Sequence, residues 1–317
     1  MAWDDRRLSR CLTLRDLNVL MTVARCGSMG KAAAQLAISQ PAISKAIADM
    51  EHSLGVRLLD RGTRGVETTI YARALLERGA IAFDELKQAA QHIEFLAHPT
   101  SGELRLGSTI AIATGFIAAV VDAISQTYPK IRFQISAGEA SAIYHALAER
   151  RFDLAIVPMV ASTIADHLHA DILYDEPLVV VAGAQSAWGR RRRVELSELM
   201  NAAWALPSPD SLYGAVVAEA FRAHGLDVPS ATVLTAVAPL RNSLVATGRF
   251  LSIVQASAVR YDYGAAIKVL PIDLSTTRRP IGLITLRNRT LSPVAKLFIE
   301  AARDVAKSAQ GSRRPTA

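Results

Sequence analysis

The side chains best suited to chemistry lie in the run Ser39-Gln40-Pro41-Ala42-Ile43-Ser44-Lys45. They are a carboxamide, two hydroxyls and an ammonium, groups that exchange hydrogen bonds and neutralise anionic charge. Nothing in the chain supplies the usual means of breaking a covalent bond: there is no G-x-S-x-G, no P-loop, no G-x-G-x-x-G and no H-E-x-x-H. His167 and His169, beside Asp166 and Asp171, offer two metal-type ligands without a clustered third, and read as a surface loop. Cys11 and Cys26, the two cysteines, form no CxxC pair and have no His cluster nearby, so they read as small buried or half-buried residues. No metal site or bound cofactor is expected.

The polar run needs an element to present it. Ser39 is a good helix N-cap and Pro41 falls at the first helical positions, where its missing N–H costs nothing. Ile43, Ile47 and Met50 then recur at spacings of four and three, which leaves Gln40, Ser44, Lys45 and Asp49 on the solvent side. Before this helix come a first one with an apolar stripe of Leu14, Leu17, Leu20, Met21 and Ala24, ended by Gly27, and a second capped by Ser28 and rich in small alanines. Ala37-Ile38 is the tight turn of a helix-turn-helix, and Gly55 suits the left-handed end of the third helix. Val56, Leu58 and Leu59, the basic turn Asp60-Arg61-Gly62-Thr63-Arg64-Gly65, and Val66, Thr68 and Thr69 then read as a wing hairpin. A helix for the major groove with a basic wing beside it is an arrangement suited to reading DNA.

Composition agrees without deciding the matter. The 317 residues carry a formal net charge of +7, and half of them are hydrophobic. Residues 1–66 hold ten Lys/Arg against six Asp/Glu, so the short N-terminal part has most of the surplus. The longest uncharged stretch, between Arg105 and Asp122, falls short of the roughly 20 apolar residues of a membrane span. The charged start, with Asp4, Asp5, Arg6 and Arg7, is followed by no apolar signal core. The expected location is cytoplasmic, with no membrane partner.

From Thr69 to Leu96 no proline occurs, and Leu75, Gly79, Ala82, Phe83, Leu86, Ala90, Ile93 and Leu96 recur at helical spacing. A helix of roughly 40 Å with so sustained a stripe points to dimerisation. His98-Pro99-Thr100-Ser101-Gly102 breaks it. Beyond, strands near 104–108, 131–135 and 153–157 alternate with helices near 112–127 and 141–150, which predicts a parallel sheet. A second set follows at 178–181, 203–206, 233–234, 250–254 and 267–270. The segments 281–285 and 293–307 return to the first subdomain, and the tail from Ser308 is expected to fray. The basic run Arg190 to Arg193 reads as a solvated loop.

Gly27-Ser28, Ala32-Ala33, Leu36, Ser39-Gln40-Pro41-Ala42-Ile43-Ser44, Ile47, Glu51, Leu54-Gly55, Leu58-Leu59, Arg61 and Thr69 together resemble the N-terminal domain of LysR-type transcriptional regulators. The chain departs from the family at Thr69-Ile70-Tyr71-Ala72, where Thr-Glu-Ala-Gly is common. The resemblance implies an α/β protein: an N-terminal winged helix-turn-helix at 12–69, a linker or dimerisation helix at 70–97, and a two-subdomain periplasmic-binding-protein-like module at 103–308. Its subdomains would be 103–177 plus 281–308, and 178–280. It implies that Gln40, Pro41, Ser44 and Lys45 face base edges or phosphates of double-stranded DNA, with Ser39 at the helix entry. Ser28, Lys31, Arg61 and Arg64 are better placed for phosphates. It also implies a homodimer assembling to a homotetramer, action with RNA polymerase at target promoters, and a small-molecule effector in the cleft. Open parallel sheets bind ligands beyond their strand C-termini, which makes Ser108, Thr109, Gly138, Glu139, Ser208 and Thr235 the candidate effector contacts. The expectation is a regulator and not an enzyme; the alternative is a bifunctional protein whose α/β module acts chemically on its ligand.

Overall fold

The computed structural model describes residues 12–62, 65–159, 165–262 and 266–311. Their contacts divide into a unit ending at Ala90 and a unit beginning at Gln91.

In the first unit, Thr13 and Asp16 form a reciprocal capping box that starts α1 (Leu14–Cys26), and Gly27 ends it at φ 61°. α2 (Met29–Leu36) follows Ser28, whose hydroxyl accepts from Lys31 N–H, and ends at Ala37, a non-glycine residue with φ 52°. α3 (Gln40–Leu54) is capped by Ser39 and closed by Gly55 at φ 70°. Val19, Leu20 and Val23 of α1, Ala32 and Ala33 of α2, and Ile43, Ile47 and Met50 of α3 share one core with Leu58 and Leu59. The alanines let α2 approach its neighbours closely. β1 (Leu59–Gly62) and β2 (Gly65–Thr68) pair antiparallel as the wing. Thr69 accepts from Ala72 N–H and donates to the carbonyl of Arg57, so it both starts α4 (Ile70–Ala97) and fastens that start to the chain before the wing. Ala72 is completely buried.

The second unit holds two sheets. In the first, β3 (Ser101–Ser108) pairs parallel with β4 (Lys130–Ala137) and with β5 (Leu154–Pro158). The sheet order is β4-β3-β5-β12-β6, with β6 (Leu168–Glu176) at one edge and β12 (Arg279–Leu286) antiparallel to both of its neighbours. α5 (Ile110–Thr127), α6 (Ala140–Ala148) and α10 (Pro293–Gly311) cover this sheet. In the second sheet, β7 (Leu178–Gly183) lies between β10 (Leu251–Gln255) and β11 (Ile267–Val269), antiparallel to both. A parallel pair, β8 (Ala205–Leu206) with β9 (Val233–Leu234), joins β10 through a Trp204–Leu251 bridge. α7 (Leu212–Ala223), α8 (Ala238–Ala246) and α9 (Ala256–Asp262) complete this half.

The expectation of parallel sheets therefore needs correcting at β7 and β12. These are the strands by which the chain passes between the halves: β6 leads through Pro177 straight into β7, and β12 leads back. The parallel strands of each sheet run toward the other half. A strand arriving from across must therefore run against them. Two further differences, at His169 and at the end of α10, are local. The segment around His169 is strand, with His169 paired to Thr285, rather than surface loop. No group of three or more His, Cys, Asp or Glu able to hold a metal occurs among the described residues. α10 continues through Gly311 instead of fraying at Ser308.

α5 is long and apolar enough to cross a membrane by length and composition alone. Here Ile112, Phe116, Ile117, Val120 and Ile124 instead pack into the first sheet's core with Phe298 of α10. One buried charge cluster ties that half together. Asp153 Oδ1 receives Nη2 of Arg105 and Nη2 of Arg289, each at 2.7 Å, and Oδ2 receives the Arg105 backbone N–H at 2.8 Å. Arg289 also donates to the carbonyl of Phe152 at 2.6 Å.

Candidate functional site

Two sites can be built from these elements, one in each unit. On the winged helix, Ser39, Gln40, Pro41 and Lys45 are exposed on the first turns of α3, and Lys31 is exposed at the start of α2. Ser28 is half-buried at the α2 N-terminus. Ser44 is turned inward relative to the expected polar face: it is half-buried, and its hydroxyl lies 3.4 Å from Met29 Sδ. Arg61 stands on β1 opposite Val66, and Arg64 lies outside the described residues.

Sequence reasoning missed what aims α3 at the wing. Glu51, on the last turn of α3, accepts the backbone N–H groups of Leu58 at 2.7 Å and Leu59 at 3.1 Å through one carboxylate oxygen. Both N–H groups belong to buried residues, so the carboxylate meets a need the strand cannot meet itself. The other end of the wing is held by the Val66 N–H donating to the carbonyl of Gly27 at 3.0 Å. The hairpin is thereby fastened both to α3 and to the turn after α1.

In the second unit, a cavity of about 320 Å³ opens where the parallel strands of both sheets end. Thr109, Gly138 and Glu139 line it from the first half. Pro207, Ser211, Tyr213, Arg241, Asn242 and Gln255 line it from the second. α5, α6 and α8 all begin at this cavity, through Ile110, Ala140 and Ala238, so their positive dipole ends converge on it. Thr109 is the N-cap residue of α5 yet makes no side-chain cap bond, and its buried hydroxyl has no partner.

The other expected effector residues lie differently. Ser108 is fully buried and donates to the carbonyl of Ile156 at 2.6 Å, so its hydroxyl holds two strands together and is not part of the cavity lining. Ser208 is also outside the lining; its carbonyl accepts the Ser211 hydroxyl at 2.6 Å. Thr235 is beside the site, its carbonyl accepting from Arg241 Nη1 at 2.7 Å.

Arg241, Asn242, Tyr213 and Gln255 are the residues that sequence reasoning missed. Arg241 lies in an unremarkable helical stretch, and nothing in its spacing announces burial. Gln255 donates to the Tyr213 hydroxyl. Burial, and next the charge of Glu176, push the Tyr213 phenol upward, so it stays protonated. Behind that pair lies a second cavity, of about 390 Å³, lined by Glu176, Glu219, Arg222 and Arg279 among others. Beside the first cavity, which Ala258 of α9 helps to line, α9 packs against α5 where the latter widens into a π-turn over Ala113–Ile117. Such turns are frequent at functional sites.

A winged helix with an exposed polar recognition face, carried in one chain with a two-sheet cleft protein, defines a DNA-binding regulator with a ligand-binding module. Residues 14–73 match the bacterial regulatory helix-turn-helix protein family of the lysR type, and residues 97–307 match the LysR substrate binding domain. The chain belongs to the LysR family of DNA-binding transcriptional regulators, with an effector-binding domain.

Relatives include the HTH-type transcriptional regulator GbpR of Azospirillum brasilense, 25% identical over 92% of this chain and 86% of its own. TdcA of Escherichia coli K12 is also 25% identical, over 94% of each chain. Among solved structures, a full-length OxyR variant from Pseudomonas aeruginosa superposes with a TM-score of 0.65 at 20% identity, covering 93% of this chain and 95% of its own. The LysR family regulator CbnR gives 0.63 at 19% identity, covering 93% and 99%. CbnR complexed with its target DNA gives 0.55 at 21% identity, covering 93% and 100%.

Proposed function

We propose that this regulator reads a sequence-specific, approximately palindromic operator through paired copies of α3, and that an effector in the cleft between the two halves of residues 103–308 alters how the pair is presented. The winged helix at 12–69 contacts DNA. Gln40, Pro41 and Lys45 work in the major groove behind the Ser39 cap, with Ser44 turned to Met29 beneath them, while Ser28, Lys31, Arg61 and Arg64 meet phosphates. The helix at 70–97 joins two copies, and the α/β modules join dimers into a tetramer. The protein works in the cytoplasm with RNA polymerase and catalyses no reaction on its ligand.

The observation that carries the DNA-reading role is the exposure of Gln40 and Lys45 on a helix whose opposite face is fully buried. Glutamine pairs bidentately with adenine, and such a contact contributes about 1–3 kcal/mol of discrimination. Footprinting of wild type and Gln40→Ala across a genomic fragment library tests it. The variant should lose about 1–3 kcal/mol at preferred sites and little elsewhere. Protection without any preferred sequence in the wild type would sink the proposal.

Dimerisation is supported by large apolar side chains left bare on α4: Leu86 is 49% exposed, Ile93 68% and Leu96 70%. Single exposed hydrophobics are ordinary, but three on one helix at intervals of seven and three form a stripe. Sedimentation of the full chain should give a dimer or tetramer, and Ile93→Glu should shift it toward monomer. A monomeric wild type would refute this part.

A further inference from the structure

The proposed reading leaves the effector's chemistry open, and the cleft wall bears on it. Arg241 is only 6% exposed, on the first turns of α8. Its Nη1 donates to the Thr235 carbonyl, while its Nε has no partner. Among the described residues no carboxylate pairs with it. Burial presses its pKa downward, and the nearby Tyr213 acts the other way. A guanidinium nevertheless stays charged in any ordinary solution, and buried charges are normally paired.

Two neighbouring groups on the same cavity are similarly incomplete. The Thr109 hydroxyl and the Asn242 carbonyl oxygen have no partners, although these residues are 9% and 4% exposed. The N-termini of α5, α6 and α8 add positive potential without adding a cation. Among the described residues, the one other charged group lining the cavity is Glu139, whose side chain is exposed. Leu178, Val217 and Ile253 make much of the remaining wall apolar. A bare inorganic oxyanion would leave that surface unfilled.

We infer that the effector is a small organic carboxylate, its carboxylate paired with Arg241 and a hydroxyl or N–H elsewhere on it donating to Asn242 Oδ1. Arg241 is then the residue that sets effector charge. The Thr235 carbonyl holds the guanidinium toward the cavity, and the Thr109 hydroxyl is free to donate to the same anion. This rests on the cleft being the effector site, as proposed above.

Thermal unfolding of the full chain tests the inference. Wild type, Arg241→Met and Arg241→Lys are melted alone and with 3-hydroxybutanoate, 3-hydroxybutanamide, butylamine or inorganic phosphate. The hydroxy acid should raise the wild-type Tm with dose, since a ligand of the native state stabilises it. The neutral amide and the cationic amine should not. Arg241→Met should lose the response, and Arg241→Lys should keep a weakened one. Unliganded Arg241→Met should melt no lower than wild type, because it removes an uncompensated buried charge.

Equal stabilisation by the amide or amine, a response kept by Arg241→Met, or no response to any of the four compounds would overturn the inference. So would a clear drop in the Tm of unliganded Arg241→Met, which would make the arginine a structural residue. Stabilisation by phosphate equal to that by the hydroxy acid would assign the site to inorganic oxyanions and overturn it equally. Footprinting of the wild-type chain without ligand separates this failure from failure of the regulator reading: a wrong ligand class leaves operator protection intact.

Discussion

Asp153→Ala should destabilise the α/β unit by about 3–5 kcal/mol, the usual result of removing one partner from a buried charge cluster. The carboxylate sits between two guanidiniums, and Arg289 is almost wholly enclosed, its side chain 1% exposed. Its removal takes away the 2.7 Å carboxylate contact of that enclosed cation, which keeps its bond to the Phe152 carbonyl. Burial by itself pushes the Asp153 carboxyl up. The hydrogen bonds and charge from Arg105, with the charge of Arg289, outweigh it and hold the pKa below the ordinary 3.8.

The sign of the pH dependence follows. The folded state binds the proton less readily than the unfolded chain, so this stabilisation is complete above the unfolded carboxylate range and is lost as pH falls through the depressed value. Urea denaturation followed by circular dichroism should therefore show Asp153→Asn well below wild type at neutral pH, with the two converging in acid. A neutral-pH difference under about 1 kcal/mol would mean that the cluster breaks even against its desolvation.

Gly65→Ala should cost about 2–4 kcal/mol in the winged unit and lower affinity for DNA, through backbone strain and the loss of one hydrogen bond. Gly65 adopts φ 124°, which L side chains rarely enter, and a Cβ there would lie 2.7 Å from the Gly27 carbonyl oxygen. That oxygen accepts the Val66 N–H, so relief of the clash breaks the bond that docks the wing. Gly62, directly across the hairpin, supplies the control: a Cβ there meets nothing within 4 Å, and φ is not positive. Gly62→Ala should stay close to wild type in both thermal unfolding and gel shift. Equal effects from the two substitutions would show that the hairpin simply tolerates no side chain, and that docking on Gly27 is not the cause.

The winged helix was largely legible in the sequence because its signals are local. Ser39, Pro41, Gly27 and Gly55 act within a few residues of where they stand, and the apolar spacing of Ile43, Ile47 and Met50 names the buried face directly. Elements in the second unit were also legible from alternation. Strand direction was not, since the reversal of β7 and β12 comes from the chain's passage between halves and leaves no mark on residue type.

The cleft was legible only by position. Thr109, Gly138 and Glu139 could be named because each follows a strand end. Ser108 occupies the same kind of position, but an alternation of faces along β3 turns it toward Ile156. Arg241 and Asn242 gain their meaning from burial by distant segments, which a single sequence does not display. Glu51 is an intermediate case: its place in the family pattern was visible, and its two backbone partners were not.

The two passages between the halves are joined to each other. Thr277, just before β12, accepts the backbone N–H of Leu178, at the start of β7, at 3.0 Å, and Thr277 is itself fully buried. Just upstream, Glu176 accepts the Ser257 N–H at 2.9 Å. Two ribbons clasped at a common point resist sliding apart far more than they resist swivelling. Any turn of one half against the other would pivot at this clasp. If an effector acts through such a turn, ligands of different sizes would differ in how far they rotate the halves.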